Sequence, residues 1–463
     1  MQDKVFLVGA SKRSISPDPD MLPIALPFSG DQYEAVREGE GLSVRAIVVD
    51  NGESRFLFES LELPGAPVPE RLNQMLTEAF GFSKDHMLLV GTHNHAAPFP
   101  VDPPKPGEYN KYNLKEDSSD NACRWTEKVL AQAVAVAGEA IERLKPARMG
   151  YGEDKSYINV NRDEHFDDGY WMQGTNWEGC SDKTVAALTF TGEDGNLIAA
   201  VVNYAVHDVM NFCARDLDGK VKITCGIPGI SSGFAERFLG HDCVVLWQSG
   251  AAGNQNPWAA YGKHFDCNGT MYMPNDTVDG ASYQAALCVG EQHGMDVLRA
   301  INKAKPTLSW AKIITATGMV YLPEQRFPEG IDPMYHRLMV DNILVSRGYV
   351  RPGEKYEKKL ADMIPTGGTV PMPIQLLVIG DVAFYGVACE LYNEIGVLCK
   401  EASPMKHTVI TTHIGEKNVG YVLDDASKGH KVFQSFGRIM EGRSNKLVVD
   451  GMLEMFRKVL QEE

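Results

Sequence analysis

Residues Met87–Pro100 read MLLVGTHNHAAPFP, an apolar run that stops abruptly at a His-Asn-His triplet. The apolar residues predict a buried strand, which the small residues and prolines after His95 cannot continue. His93 and His95 therefore stand where a buried strand opens into a loop, a common position for active-site residues. If the segment is extended, the two side chains point to the same side. They can then bind one metal ion together, or one can bind metal while the other transfers protons; the alternative is a pair of ordinary polar residues.

Length and composition indicate an ordinary globular chain. It has 463 residues, of which 44% are hydrophobic and 23% charged. The formal net charge is −16, and Lys and Arg are scattered along the sequence. Nucleic acids and anionic membranes both require a positive patch, so neither is expected as a partner. No apolar segment is long enough for a membrane span, and we expect a small-molecule substrate, with a homo-oligomer left open.

Cysteine usage bears on the cellular compartment. The nine cysteines are an odd number, spread widely and without a CxxC pair. This fits reduced thiols better than a disulfide framework. The amino terminus has a short apolar patch but no signal-peptide core. We therefore expect a cytoplasmic protein, with secretion as the alternative if a signal peptide has been removed.

Periodicity predicts an α/β (α+β) fold in which mixed β-sheets are flanked by helices. No linker or repeat divides the chain, so we expect one domain, 1–463, with loop insertions near 253–280 and 324–369. The strands are predicted at Val5–Val8, Val44–Val49, Phe56–Glu59, Met87–Val90, Val185–Phe190, Ile198–Val202, Cys243–Trp247, Gln375–Ile379, Ala383–Val387 and Thr408–Thr411. The helices are predicted at Pro69–Phe80, Ala122–Leu144, Ser231–Leu239, Ala281–Ala304, Leu391–Cys399 and Lys446–Gln461.

Three further segments place a polar side chain at or just after a strand or turn. They end in His207, Glu390 and Tyr421. Each has an ordinary explanation: a hydrogen-bonded polar residue, an acid at a helix N-terminus, or a tyrosine that fills the core. Taken with His93, however, they form a set of nitrogen and oxygen donors suited to a divalent ion, without any cysteine. His95 would then be free to carry protons.

An ordered set of motifs resembles the amino-terminal catalytic domain of the neutral, non-lysosomal ceramidases, a family of zinc amidases. The resemblance covers about residues 4–435, and the order of the motifs is more specific than any one of them. The matching segments are Thr92–Pro98, Asn159–Arg162, Tyr204–His207, Ile227–Gly229, Gln248–Pro257, Gly386–Glu390 and Asn418–Tyr421.

The resemblance implies one zinc ion and a set of roles for this chain. His95 would correspond to the family's acid–base or oxyanion-side histidine. Arg162 would orient the substrate or stabilise developing charge, and Tyr421 would also donate to the oxyanion. The zinc ligands implied are His93, His207, Glu390 and Tyr421.

The chain also departs from the family pattern. Gly250 stands where secreted members carry a serine, with Ser249 one position away, so we expect no serine nucleophile. Asn254 and Gly226 stand where the family has acids and would remove two negative charges near the site; Glu62 replaces a usual Asp. No carboxy-terminal immunoglobulin-like domain or leading secretory segment is recognised. We therefore expect a short bacterial member whose substrate need not be ceramide.

Four functional interpretations follow from the sequence. The leading one is a zinc-dependent hydrolase that cleaves an amide (N-acyl) bond through a metal-activated water. The second keeps the metal but acts on an ester, lactone or sugar-derived carbonyl. The third is a TIM-barrel amidohydrolase, which needs two further strand-end histidines and a bridging lysine, whereas only His207 is well placed. The fourth is a metal-stabilised binding protein without catalysis.

Overall fold

The computed structural model describes residues 4–26, 32–66, 69–101, 116–165, 171–212, 214–240, 242–260, 264–265, 271–272, 281–323, 368–415, 418–430, 432, 434 and 442–460. The insertion predicted at 324–369 lies outside these residues except for its last two positions. The insertion predicted at 253–280 is described only at 253–260, 264–265 and 271–272.

The described chain alternates between strands and helices, as predicted for an α/β fold. The helices are α1 (Pro69–Phe80), α2 (Glu116–Glu142), α3 (Gly226–Leu239), α4 (Ala281–Lys303), α5 (Asn393–Ala402) and α6 (Ser444–Leu460). The strands are β1 (Phe6–Ser14), β2 (Ile24–Ala25), β3 (Gln32–Tyr33), β4 (Ala35–Val36), β5 (Ser43–Asp50), β6 (Arg55–Leu61), β7 (Met87–Gly91), β8 (Lys145–Lys155), β9 (Asn159–His165), β10 (Trp171–Asn176), β11 (Thr184–Gly192), β12 (Leu197–Tyr204), β13 (Lys222–Ile223), β14 (Val244–Ser249), β15 (Gln255–Pro257), β16 (His264–Phe265), β17 (Met271–Tyr272), β18 (Ile313–Pro323), β19 (Thr369–Ile379), β20 (Val382–Val387), β21 (Glu390–Leu391), β22 (His407–Thr411) and β23 (Tyr421–Val422).

Two sheets form the centre of the molecule. The larger has eight strands in the order β14-β12-β11-β8-β1-β5-β6-β7, and the smaller has four in the order β18-β19-β20-β22. Neighbours in the large sheet are antiparallel except β6 with β7 and β12 with β14. The large sheet curls, so that Ser60 Oγ on β6 donates a hydrogen bond to the backbone oxygen of Trp247 on β14, at the other end of the strand order. This curl brings distant strands of the sheet towards one another.

The layers follow from where apolar side chains point. Helices α1 and α2 pack on one face of the large sheet with Val48 and Leu57, and α3 and α4 cover the same face with Ala187. The other face packs on the small sheet through residues such as Phe58 and Phe384, whose rings meet edge-on. Helices α5 and α6 cover the outer face of the small sheet. Strands buried on both faces read as continuous apolar runs, which explains why β5 and β7 are predictable.

Strands β8, β9, β10 and β18 are absent from the sequence prediction, and β8 shows why. Its helix-facing positions include Gly150 and Gly152, where α4 and the chain after it approach closely. A Cβ at Gly152 would lie 2.4 Å from the backbone oxygen of Ala300. Because these positions carry no side chain, the apolar alternation that identifies a strand is missing.

Among the residues described, no helix is long and apolar enough to cross a membrane.

A buried ion network joins α3 to the large sheet. Arg45 on β5 lies between Glu62 and Glu236, and its Nε is 2.7 Å from Glu236 Oε1. All three side chains are buried. Glu236 Oε1 also accepts the backbone N–H of Val245 on β14. Removing the Arg45 cation would leave the buried Glu62 carboxylate uncompensated and Glu236 paired with Lys12 alone, at 2.6 Å.

Arg45→Met is therefore expected to lower the free energy of unfolding by roughly 3–5 kcal/mol. The matched control is Arg299→Met, whose guanidinium pairs with Asp296 and Asp154 but is half-exposed. That change should cost less than about 1 kcal/mol. Urea unfolding of both variants checks the difference, and equal losses would contradict it.

His293 supplies a pH-dependent contribution to stability. It is fully buried on α4, accepts the Trp247 indole N–H at Nε2, and contacts Ser156 Oγ through Nδ1. Burial lowers its pKa to about 3. The unfolded chain binds a proton near pH 6.5, whereas the folded chain resists it. The stabilisation is therefore complete above pH 6.5 and is lost as the pH falls towards 3.

His293→Gln removes this titration and keeps groups that can accept from Trp247 and donate to Ser156. Between pH 6.5 and pH 4 the unfolding free energy of the variant should fall less steeply, by up to roughly 1.4 kcal/mol per pH unit. Urea unfolding across this pH range measures the slope. Parallel slopes for the wild type and the variant would contradict this, because they would show that His293 has the same pKa in the folded and unfolded chains.

Candidate metal centre

The His93-Asn94-His95 turn directs both imidazoles into one place, although not as an extended segment. The prediction of extended geometry is wrong, because His93 has a left-handed φ of 63°. Asn94 holds this turn: its Nδ2 donates to the backbone oxygen of Thr224 (2.7 Å), and its Oδ1 accepts from Ala96 N (2.8 Å). His95 Nε2 lies 3.1 Å from His93 Nε2. The Asn94 side chain therefore fixes the turn that orients His93 and His95.

His207 reaches the same point from β12, three residues after that strand ends. Its Nε2 lies 2.7 Å from His93 Nε2. On the other side of each ring, Nδ1 contacts a backbone oxygen: that of Pro64 for His93 (2.9 Å) and that of Ala252 for His207 (2.6 Å). A carbonyl oxygen can only accept, so we assign the proton to Nδ1 in both rings. Both Nε2 atoms then carry lone pairs that face each other.

Glu390 and Tyr421 come to the site together on a short parallel ladder. Strands β21 and β23 place Glu390 opposite Tyr421. Glu390 Oε2 lies 3.4 Å from Nε2 of His93 and 3.3 Å from Nε2 of His207. The Tyr421 hydroxyl is 3.4 Å from the His207 Nε2. Helix α5 begins only at Asn393, so the alternative prediction that Glu390 opens a helix is wrong.

Arg162 lies behind Tyr421 on β9. Its Nη2 donates to the Tyr421 hydroxyl (3.1 Å) and to the backbone oxygen of Gly253 (2.6 Å), and Nη1 donates to Asn256 Oδ1 (3.2 Å). The guanidinium is almost completely buried. Gly253 also allows the backbone of β21 to approach, because a Cβ at this position would lie 2.7 Å from the backbone oxygen of Glu390. Residues 252–256 therefore orient both His207 and Arg162.

Burial disfavours the charged form of three of these imidazoles. It lowers the pKa of His207 to about 3, and it lowers the pKa values of His95 and His413 well below their usual range. Burial and the Glu390 carboxylate raise the pKa of Tyr421. At neutral pH a proton on His207 is therefore an unfavourable way to relieve the contact between the facing lone pairs.

The donor set fits a metal ion. Within the described part of the chain, ligand atoms of His93, His95 and His207 lie within 4.8 Å of one another. Donors about 2.0–2.1 Å from a tetrahedral zinc ion are about 3.3 Å apart. The contacts of Glu390 and Tyr421 match this spacing, whereas the His93–His207 contact at 2.7 Å and the His93–His95 contact at 3.1 Å are shorter. An Nδ1–H bonded to a carbonyl is also the usual arrangement for a metal-ligating histidine.

Each of the two positions where the family has an acid, Gly226 and Asn254, lies beside another acidic residue, and burial raises the pKa of that neighbour to about 7. Gly226 begins α3 with φ 61°, and a Cβ there would lie 1.6 Å from Asp208 Oδ2. Asn254 donates from Nδ2 to Glu394 Oε2 (2.8 Å). A buried or partly buried acid thus lies beside each replaced position. Ser249 is fully buried and its Oγ contacts the backbone oxygen of Gly250, with no contact to the histidines among its described partners.

His413 is a member of the cluster that the sequence analysis missed. Its ring stacks on that of His93, with centroids 4.0 Å apart and planes 16° apart. It stands two residues after β22, just as His93 stands two residues after β7. The strand-end signal that identified His93 could therefore have identified it.

Comparison with known proteins identifies the fold. No family model matches the chain. The structure of a neutral ceramidase from Pseudomonas aeruginosa is similar, with a TM-score of 0.69 and 15% identity, over 99% of this chain and 75% of that one. A ceramidase complexed with C2 is similar with a TM-score of 0.67 and 14% identity, over 99% and 76% of the two chains. The chain has a ceramidase-like α/β fold, and the resemblance inferred from its motifs is confirmed at the level of fold.

We predict that the purified wild-type protein carries one equivalent of zinc. The double variant His93→Ala/Glu390→Ala should retain little after dialysis, because two of the donors are removed. His293→Gln is the matched control, since it changes a buried histidine elsewhere in the core and should keep the ion. Metal analysis by mass spectrometry checks this. Zinc that survives in the double variant would overturn the ligand assignment.

Proposed function

We propose that this protein is a zinc-dependent hydrolase that cleaves an amide (N-acyl) bond, with His93, His207, Glu390 and Tyr421 as the zinc ligands. One observation carries the proposal. One ring nitrogen each of His93 and His207 and a carboxylate oxygen of Glu390 lie within 3.4 Å of one another, in a buried position where a proton on His207 is unfavourable. Such a set is stable around a divalent cation and repulsive without one.

When bound, a zinc ion supplies a Lewis acid and lowers the pKa of a coordinated water towards neutrality. The surrounding residues would then have separate tasks. Pro64 and Ala252 fix the ring orientations of His93 and His207 through their carbonyl oxygens. Such partners commonly tune metal affinity as well as ligand direction.

His95 is proposed as the proton carrier. Its lowered pKa keeps the imidazole unprotonated at neutral pH, so one ring nitrogen can accept a hydrogen bond from water. Its backbone is held at both ends, because its N–H donates to the Asp208 oxygen and its own oxygen accepts from the Tyr33 hydroxyl. The ring is partly exposed beside Phe212, at 5.7 Å between centroids. We assign it the transfer of a proton from the attacking water to the leaving amine.

Arg162 and Tyr421 are proposed to stabilise negative charge that develops on the substrate oxygen. Arg162 is held by Gly253 and Asn256, so its orientation is fixed before the substrate binds. Its bond to the Tyr421 hydroxyl directs that group as well. A preorganised donor pair of this kind is typical of sites that stabilise an oxyanion.

The choice of an amide bond rests on the names of the two similar structures, both ceramidases. The same donor set would support attack on an ester, a lactone or a sugar-derived carbonyl. We place the amide first because Arg162, Tyr421 and His95 together provide charge stabilisation and a proton for an amine leaving group.

His95→Ala should keep the zinc and lose kcat by about 10²- to 10⁴-fold, the usual contribution of a positioned acid–base group. Turnover is measured on N-acyl amides of short and long acyl chains, and on matched esters. The control is His407→Ala, a partly exposed histidine at the far end of β22, which should leave turnover unchanged.

Three results would contradict parts of this proposal. Loss of zinc in His95→Ala would make His95 a ligand. Hydrolysis of esters but not amides by the wild type would change the bond assigned. Zinc-loaded wild type that binds substrates without turnover would favour the binding-protein interpretation.

A further inference from the structure

The candidate metal centre is assembled from two sheets, and one side chain lies between its halves. His93 and His207 follow β7 and β12 of the eight-stranded sheet, whereas Glu390 and Tyr421 lie on the short ladder β21–β23, which the chain reaches after β20 and β22 of the four-stranded sheet. His413 comes from the four-stranded sheet but stacks on His93. It therefore contacts a proposed ligand across the boundary between the sheets.

The backbone around His413 makes the same connection. The Gly91 N–H, at the end of β7, contacts the His413 oxygen at 3.4 Å, and Ile414 forms a bridge with Val90. His413 has a φ of 56°, so both stacked histidines occupy the left-handed region. Non-glycine residues in this region are uncommon and are retained where the surroundings require them, often at functional sites.

A second contact explains why this residue is histidine. Asn418 Nδ2 lies 3.1 Å from His413 Nδ1, and an amide NH₂ can only donate. His413 Nδ1 therefore accepts, which fixes the angle of the ring about its own axis. Phenylalanine or tyrosine could supply the stack but not the acceptor. Asn418 also accepts the Gly420 N–H, in the segment that leads to Tyr421.

We propose that His413 is a positioning residue: its ring, held by Asn418, sets the plane of the His93 imidazole and so the direction of its metal-binding nitrogen. This inference rests on the metal centre proposed above. It assigns His413 no contact with the reacting atoms. It makes the alignment of a ligand from one sheet depend on a side chain from the other.

Zinc affinity, measured by competition with a chromogenic chelator, tests this directly. His413→Ala removes the stack and the acceptor and should weaken zinc binding about 10- to 100-fold, the usual effect of removing a group that orients a ligand. His413→Phe keeps the ring stack and loses the hydrogen-bond acceptor, so zinc affinity should fall less than in His413→Ala. Asn418→Ala removes the same hydrogen bond and should match His413→Phe. The double variant Asn418→Ala/His413→Phe should lose no more zinc affinity than either single variant, because both changes remove the same hydrogen bond.

Two controls separate positioning from a general effect on folding. His293→Phe changes a buried histidine away from the site and should lower stability while zinc affinity stays unchanged. Urea unfolding of the metal-free proteins shows whether each variant is folded. The visible spectrum of the Co²⁺-substituted protein should shift in His413→Phe, because the spectrum reports the ligand arrangement rather than stability.

The outcomes are distinct. If the wild type binds no zinc, the proposed function and this inference both fail. If the wild type binds zinc, and folded His413→Ala and His413→Phe bind it equally well with an unchanged Co²⁺ spectrum, this inference alone fails. Lower kcat with unchanged metal affinity would also overturn it, since His413 would then act on the substrate.

Discussion

The contact between two unprotonated imidazole nitrogens is the constraint on which the rest of the site depends. The carbonyl oxygens of Pro64 and Ala252 hold the protons of His93 and His207 on the far side of each ring. Burial disfavours a compensating proton on His207. The backbone therefore determines the chemistry of the site before any side chain acts as a reagent, because it leaves a cation as the favourable occupant.

Much of the fold could be predicted because several strands are buried on both faces. Strands such as β5 and β7 read as unbroken apolar runs, and α1 was predicted with its observed bounds, Pro69–Phe80. Strand β8 could not be found in this way, since Gly152 leaves room for the backbone of α4 instead of showing an apolar side chain. The missing information is the position of a neighbouring helix, which local sequence does not contain.

For the candidate site, the proposed metal ligands could be predicted from the sequence, but the local geometry that brings them together could not. Position after a strand, together with the family resemblance, nominated His93, His207, Glu390 and Tyr421, and the structure places these residues in contact. The left-handed turn at His93 was not predictable, because it depends on the burial of the Asn94 side chain. The stack of His413 on His93 depends on how the two sheets meet, which no spacing along the chain specifies.

The ladder between β21 and β23 is only two residues long, with Glu390 opposite Tyr421 and Leu391 opposite Val422. Because side chains alternate along a strand, a slip of one residue would present an apolar side chain where a donor stands. A cation held between the two sheets would favour the correct pairing over the slipped one. The ion would then stabilise the correct strand register while the chain folds, in addition to any part it has in catalysis.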